Sequence, residues 1–187
     1  MRHRRGMKLP IYTVDTAPAA AKATLEGIAA DLGVLPNMAG TIAGSPALLA
    51  AFDGMRRAVG SAELDPVHRE VAGLAVGVAV DNAYGVAFHS TVLARLGVAE
   101  ADIDRMRNAE EPADDRQAAI YRLAQDVARN RGKVSAETIS RVTATGFVTE
   151  HILDVVAECI FASMVGVMDN LADRVELDAF LAPRAWR

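Results

Sequence analysis

The chain has 187 residues, a formal net charge of −4 and a single cysteine, Cys159. This length suits one domain with a sizeable core, and the acidic balance leaves no basic surface for nucleic acid. One cysteine excludes an intrachain disulfide and a dithiol redox couple within the chain. Hydrophobic residues make up 51% of the chain but aromatic residues only 5%, a composition that favours closely packed helices over a β-sandwich.

The two ends of the chain differ from its middle. Basic residues are concentrated before Lys8, with no apolar signal-peptide core of the usual kind after them, so we predict a basic tail over residues 1–12. A single helical domain is predicted over residues 13–180. Residues 181–187 are a second tail, with Trp186 as a docking anchor.

Helical periodicity and capping residues predict an all-α fold of about seven or eight helices. Ser45-Pro46 and Asp65-Pro66 combine a capping side chain with proline at the first helical position, and Ser135 and Thr149 are the predicted caps of the last two helices. Asp81-Asn82 breaks the central region 65–97 into two helices, because both side chains compete for backbone hydrogen bonds. The predicted helices run from about 19 to 32, 46 to 60, 66 to 80, 83 to 96, 100 to 107, 113 to 130, 136 to 145 and 149 to 174.

Two stretches matter for organisation and location. The acidic segment Glu110–Asp115 is the best internal boundary and precedes the C-terminal helices of residues 113–175. The longest apolar run, Val71–Val80, is shorter than the ~20 residues that cross a bilayer. We therefore expect a cytoplasmic protein with no membrane contact.

The central stretch from Glu70 to His89 carries the candidate chemistry. It is almost uncharged, with Asp81 the only charged residue between its ends, and its other polar side chains include Asn82 and Tyr84. A carboxylate and an imidazole at one helix junction can pass protons, and the amide and phenol can orient a bound molecule. Taken singly, Glu70 also suits a helix start, and a lone histidine is more often a core residue than a catalyst.

The sequence gives no reason to expect a metal or another cofactor. The remaining histidines, His3, His68 and His151, lack the spacing of paired metal ligands. Gly73 and Gly77 are four residues apart and do not form a phosphate loop, so we expect them to allow close helix packing.

The central stretch resembles the carboxymuconolactone decarboxylase and alkyl hydroperoxidase D (AhpD-like) superfamily, especially its peroxidase-related members. The diagnostic segment of that superfamily is a glutamate, eleven further residues, and then Cys-x-x-Cys-x-x-x-His. Glu70, Asn82, Gly85 and His89 fall on its four positions, and the flanking LDPVHREVAGLAV and AFHSTVLARLGV are also similar. The resemblance spans roughly residues 9–180. It implies an AhpD-like multi-helix bundle that assembles with itself as a dimer, trimer or hexamer.

The departure from this motif decides which chemistry the resemblance implies. In the peroxidase branch the two cysteines attack the peroxide and form a disulfide, while the glutamate and histidine relay protons. Asn82 and Gly85 can form neither a sulfenate nor a disulfide, so we expect no thiol peroxidase activity. We expect Cys159, about seventy residues away, to be a buried packing residue.

Three hypotheses about function follow. The resemblance to the decarboxylase branch implies a cofactor-independent enzyme acting on a small organic acid or lactone, with Glu70 and His89 as acid and base. Asn82, Tyr84 and Gly85 would then contact the substrate. The alternatives are a non-catalytic relative that binds a small molecule, and a scaffold whose polar residues satisfy one another at a subunit interface.

Overall fold

The computed structural model describes residues 7–187, and every regular element within that range is helical. The elements are α1 (Ala19–Leu32), α2 (Asn37–Ile42), α3 (Pro46–Gly60), α4 (Pro66–Ala79), α5 (Ala83–Arg95), α6 (Glu100–Arg107), α7 (Asp115–Asn130), α8 (Ala136–Ala144), α9 (Thr149–Leu171) and a short 3-10 turn at Ala182–Arg184. The predicted all-α fold is confirmed. Residues 1–6, the first half of the predicted basic tail, lie outside the described range.

The helix starts follow the capping signals of the sequence. Ser45, Asp65 and Ser135 each accept a hydrogen bond from a backbone N–H of the first helical turn. These bonds satisfy donors that a helix cannot satisfy internally. They explain why α3, α4 and α8 begin where the sequence predicts.

Two elements differ from the prediction. The six-residue helix α2 is absent from the predicted helices, because it is too short to show a helical period. The Asp178 carboxylate accepts the Asn37 N–H at 3.1 Å and stabilises the start of this helix. Thr149 does not cap α9 but is its first residue, and the Val148 N–H donates instead to His151 Nδ1 at 3.3 Å. The helix ends at Leu171 rather than near Arg174.

Helix α4 lies at the centre of the bundle. It packs against α5, α6, α7 and α9. Most of its residues are Val, Ala, Leu or Gly, and these small and apolar side chains allow it to be buried on several sides. One hydrophobic cluster surrounds α4, α7 and the inner face of α9, and a second lies between α1, α2, α3 and the outer half of α5. The α4–α5 pair therefore joins both parts of the core.

The junction between α4 and α5 is fixed by polar contacts. Asp81 adopts a left-handed backbone conformation with φ of 57°, which ends α4. The Asn82 side chain then caps α5 by accepting the Gly85 N–H at 2.8 Å. The Asp169 carboxylate, from α9, accepts the Ala83 N–H at 2.9 Å. The predicted break at Asp81-Asn82 is confirmed.

Helix α9 has two apolar faces. By length and composition alone it could cross a membrane, yet in this fold it packs against α2, α3, α4, α5 and α7. Its other face carries apolar residues at alternating spacings of four and three, the heptad pattern of helices that pair with helices. We call this set the α9 seam: Leu153, Ala157, Ile160, Met164, Val167 and Leu171.

The C-terminal residues are packed onto the bundle. Trp186 is buried, and its indole N–H donates to the Arg107 carbonyl at 3.2 Å. The Arg107 guanidinium in turn donates to the carbonyls of Arg184 and Ala185 at 3.0 and 2.9 Å. The chain beyond α9 thus contacts the end of α6.

Gly73 is the tightest point of the α4–α5 contact and gives a first prediction. A Cβ at Gly73 would lie 2.1 Å from His89 Cε1, whereas a Cβ at Gly54 in α3 would meet no atom within 4 Å. We expect Gly73→Ala to lower the free energy of unfolding by about 1–3 kcal/mol through overpacking. Gly54→Ala should leave it unchanged or raise it by up to about 1 kcal/mol. Urea denaturation measures both, and equal stabilities would contradict the close α4–α5 contact.

Candidate active site

Glu70 and His89 form a buried pair between α4 and α5. His89 Nδ1 lies 2.8 Å from Glu70 Oε2, and both residues are less than 10% exposed. The imidazole packs directly over Gly73, where any side chain would collide with it. Arg69 Nε lies 3.5 Å from the other carboxylate oxygen, Glu70 Oε1. The two predicted proton-transfer residues are therefore in direct contact.

Each group of this pair shifts the pKa of the other in the direction that favours its charged form. Burial alone would lower the pKa of His89, but the hydrogen bond and charge of Glu70, together with the charge of Glu158, raise it overall. Burial would likewise raise the pKa of Glu70, but His89 and Arg69 lower it overall. The two groups therefore favour each other's charged form, the imidazolium of His89 and the carboxylate of Glu70. Its stabilising contribution is lost as pH falls through the lowered pKa of Glu70 or rises through the raised pKa of His89.

Glu158 is the site residue that the sequence reasoning missed. It comes from the buried face of α9, is 3% exposed, and places Oε1 3.9 Å from His89 Nε2. Burial raises the pKa of this carboxyl to about 7, with the neighbouring Glu70 charge adding to the effect and His89 opposing it. One signal in the sequence pointed to it: Glu158 is the only charged residue between Asp154 and Asp169.

A pocket of about 120 Å³ opens beside His89. Apolar and aromatic side chains from five helices make up most of its wall. The lining residues are Leu32, Pro36, Met38, Phe52, Arg56, Tyr84, Gly85, Phe88, His89, Phe161, Ala162 and Val165. The Arg56 guanidinium is already paired with the carboxylates of Asp31 at 2.8 Å and Asp53 at 2.7 Å. His89 is thus the main polar group available to a bound molecule.

Tyr84 lines the pocket, but its hydroxyl is engaged elsewhere. It donates to the Asp178 carboxylate at 2.5 Å. Burial and this carboxylate raise the pKa of Tyr84 far above its ordinary value, so the phenol stays protonated. Tyr84 therefore offers its ring to the pocket, while its hydroxyl ties α5 to the C-terminal segment.

Asn82 and Gly85, the residues predicted at the two cysteine positions of the motif, fit each other closely. Asn82 is fully buried and does not line the pocket, whereas Gly85 does. A Cβ at Gly85 would lie 2.3 Å from Asn82 Nδ2, and a Cβ at Gly166 of α9 would lie 3.3 Å from Asn82 Cβ. Asn82 Nδ2 finds no acceptor among residues 7–187. The amide thus fills the space that glycine leaves at position 85.

Cys159 is separate from this pocket. Its thiol is buried, its Sγ lies 3.9 Å from the Ala124 carbonyl, and burial raises its pKa to about 12. It borders a shallow groove between α7 and α9 instead. A thiol with a raised pKa is a poor nucleophile at neutral pH. Over residues 7–187 there is also no group of three or more His, Cys, Asp and Glu side chains arranged to hold a metal ion.

Known proteins resemble this chain in sequence and in fold. Residues 46–126 match the sequence model of the carboxymuconolactone decarboxylase family. The AhpD core of an uncharacterized peroxidase-related protein from Ralstonia eutropha JMP134 superposes with a TM-score of 0.81 at 20% identity, covering 96% of each chain. An uncharacterized peroxidase-related protein from Silicibacter sp. TM1040 gives 0.74 at 18% identity, covering 95% of this chain and 94% of that chain.

A third structural relative is an enzyme with a ligand. A cysteine-to-alanine variant of the debrominase Bmp8, in complex with 2,3,4-tribromopyrrole, gives a TM-score of 0.74 at 16% identity, covering 98% of this chain and 96% of that chain. No curated protein sequence matches this chain. The family match over residues 46–126 and the shared fold along almost the whole chain make this protein similar to the carboxymuconolactone decarboxylase family in sequence over its central helices, and to AhpD-like proteins in fold.

Proposed function

We propose that this protein is a cofactor-independent acid/base enzyme that acts on a small, neutral, single-ring compound such as a lactone. One observation carries the proposal: His89 lines an apolar pocket while its Nδ1 is held by the Glu70 carboxylate at 2.8 Å. Since Nδ1 is occupied, Nε2 is the nitrogen left to exchange a proton with a bound molecule. General acid or base catalysis by a histidine in such a position typically accelerates a reaction about 10²–10⁴-fold.

The size of the pocket supports a single-ring ligand. Its volume is about 120 Å³, and apolar protein cavities of about 150 Å³ hold one benzene molecule. The rings of Phe52, Phe88 and Phe161 line it, and such rings stack favourably on a flat ligand. The debrominase relative binds a compound of this kind, 2,3,4-tribromopyrrole, which further supports a ring-shaped ligand here.

The charges around the pocket favour a neutral ligand. Glu70, Glu158 and Asp178 are all buried acids on or near its wall. Arg56, the one cationic side chain of the lining besides His89, is neutralised by two carboxylates. A carboxylated substrate would therefore enter without a free positive partner. Among the small acids and lactones implied by the family, the uncharged lactones fit this pocket better.

A second candidate function is binding without turnover. Apart from His89, the described lining offers no unpaired cationic or hydroxyl donor that would stabilise a developing oxyanion, because Asp178 engages the Tyr84 hydroxyl and two carboxylates pair with the Arg56 guanidinium. Enzymes that form oxyanions usually supply such donors. A ligand carrier with one orienting imidazole needs nothing more than this pocket provides.

We also propose that the protein self-associates through the α9 seam. Leu153, Ile160 and Val167 of the seam are 58–64% exposed and lie seven residues apart on one face of α9. The shallow groove between α7 and α9 runs beside them. Large aliphatic side chains in a heptad pattern suit a second copy of the same helix.

The ligand proposal predicts a selective loss of binding when the pocket is filled. Val165→Phe adds a ring inside the pocket, while Val167→Phe makes the same change on the exposed side of α9. We expect Val165→Phe to weaken binding of toluene and γ-butyrolactone at least about tenfold, because the added ring takes the ligand's space. Val167→Phe should bind like the wild type. Ligand-observed NMR measures both, with benzoate as the anionic comparison; tighter binding of benzoate would contradict the neutral-ligand proposal.

The enzyme proposal predicts that His89 is needed for turnover but not for folding. We expect His89→Gln to lower turnover of a panel of small lactones by at least about 100-fold, because it removes the proton-exchanging nitrogen. Cys159→Ser, which changes a thiol outside the pocket, should leave the rate unchanged. NMR measures hydrolysis or isomerisation of each lactone by the two variants, and thermal melting checks that both are folded. Ligands that bind the wild type and stay chemically unchanged would favour the carrier function.

The self-association proposal predicts that one charge on the α9 seam disrupts the oligomer. Ile160→Glu places a carboxylate in the middle of the seam, and Val34→Glu makes the same kind of change at an exposed apolar residue outside it. We expect Ile160→Glu to yield monomers in light scattering after size-exclusion chromatography, because a buried unpaired charge is costly. Val34→Glu should keep the wild-type mass. A wild type that is monomeric at all concentrations rules out this interface.

A further inference from the structure

The third acid beside His89 has no partner of its own, although it is almost fully buried. Glu158 is 3% exposed, and its carboxyl makes no hydrogen bond within residues 7–187. Buried carboxyls are normally hydrogen-bonded, because an unsatisfied buried polar group costs free energy. Its Oε1 lies 3.9 Å from His89 Nε2, a distance just beyond a direct hydrogen bond.

The position of Glu158 on α9 explains its relation to the pocket. Phe161 and Ala162 line the pocket three and four residues further along the helix, so they share one helix face with Glu158. Glu70 holds Nδ1 of the imidazole from α4, and Glu158 faces Nε2 from α9. The ring therefore lies between two carboxyl groups from different helices, and each faces one of its nitrogens.

We propose that Glu158 holds the exchangeable proton of the site and passes it to His89 Nε2. Glu158 thus acts through His89 and does not itself contact the bound molecule. The proposal rests on the acid/base function proposed above and adds the source of the proton. When His89 gives its Nε2 proton to a bound molecule, the protonated Glu158 carboxyl supplies a replacement and becomes a carboxylate. The pair has then lost one proton, which is on the bound molecule. The starting state returns when His89 Nε2 takes a proton back from the bound molecule and Glu158 is protonated again through His89, so that protons balance over the pair and the ligand together.

The surrounding charges are consistent with this role. The titratable groups that face His89 and Glu158 are Glu70 and Arg69 of α4. Arg69 lies beside Glu70 Oε1 and offsets part of its charge. Two carboxylates and one imidazolium together would leave an excess of negative charge in a buried site. A protonated Glu158 removes that excess, which is consistent with burial raising its pKa to about 7.

NMR titration of His89 in the full-length protein tests the proposal without a substrate. With the histidine ring labelled, the wild-type His89 Cε1–H signal should show an inflection near pH 7, caused by loss of the Glu158 proton. Glu158→Gln should remove that inflection and lower the pKa of His89, since a neighbouring carboxylate charge is gone. Glu150→Gln, an exposed glutamate of the same helix, should behave as the wild type.

The possible results separate this proposal from the proposed function. A His89 titration that is the same in wild type and Glu158→Gln overturns the role of Glu158, whatever the enzyme does. If the inflection depends on Glu158 but no ligand is turned over, the proton coupling stands and the enzyme proposal fails. If Glu158→Gln does not fold, Glu158→Asp replaces it, because aspartate keeps the carboxyl but places it further from His89. The pH of the inflection in the His89 signal must then shift. An inflection at the wild-type pH overturns the proposal.

Where turnover is found, the pH profile provides a second test. The kcat/KM of Glu158→Gln should lose the limb near pH 7 that the wild type and Glu150→Gln retain. A purely structural role for Glu158 would lower the rate at every pH and leave the shape of the profile unchanged. That result would also overturn the proposal.

Discussion

The hydrogen bond between Glu70 and His89 is the contact on which the rest of the site depends. It requires α4 and α5 to approach closely, and Gly73 makes this approach possible because it leaves room for the imidazole. Burial on its own disfavours the charged form of both groups, but each group favours the charged form of the other. The same contact holds α5 against α4, and α5 contributes residues to both hydrophobic clusters. Packing at the centre of this fold and proton chemistry therefore share one pair of residues.

Asparagine and glycine, at the positions where the motif has cysteines, leave an apolar pocket with His89 as its main free polar group. Asn82 now serves the backbone, as the cap of α5, and Gly85 opens the wall beside His89. Cys159 does not compensate, because it lies in a different groove and burial raises the pKa of its thiol to about 12. Proton transfer through His89 is therefore the chemistry that we propose for this site. An apolar wall and paired arginine suit an uncharged ligand.

The sequence predicted features that depend on local interactions and missed those that depend on distant ones. Capping side chains at Ser45, Asp65 and Ser135 placed three helix starts correctly, because a cap acts within one turn. The six residues of α2 are too few for a periodic signal and depend on Asp178, far away in sequence. The contact of Glu158 with His89 joins residues 69 positions apart, so only the fold brings them together. Likewise, no local sequence pattern predicts that the Tyr84 hydroxyl donates a hydrogen bond to Asp178.

The close fit of Asn82 against Gly85 also constrains how such a site changes during evolution. A cysteine introduced at position 85 beside Asn82 would place its Cβ on the amide nitrogen, at 2.3 Å. A cysteine introduced first at position 82 meets no such obstacle and costs mainly a helix cap, about 1 kcal/mol. A return to a dithiol therefore has to begin at position 82. By the same argument, the absence of a side chain at position 85 is what accommodates the Asn82 amide in this fold.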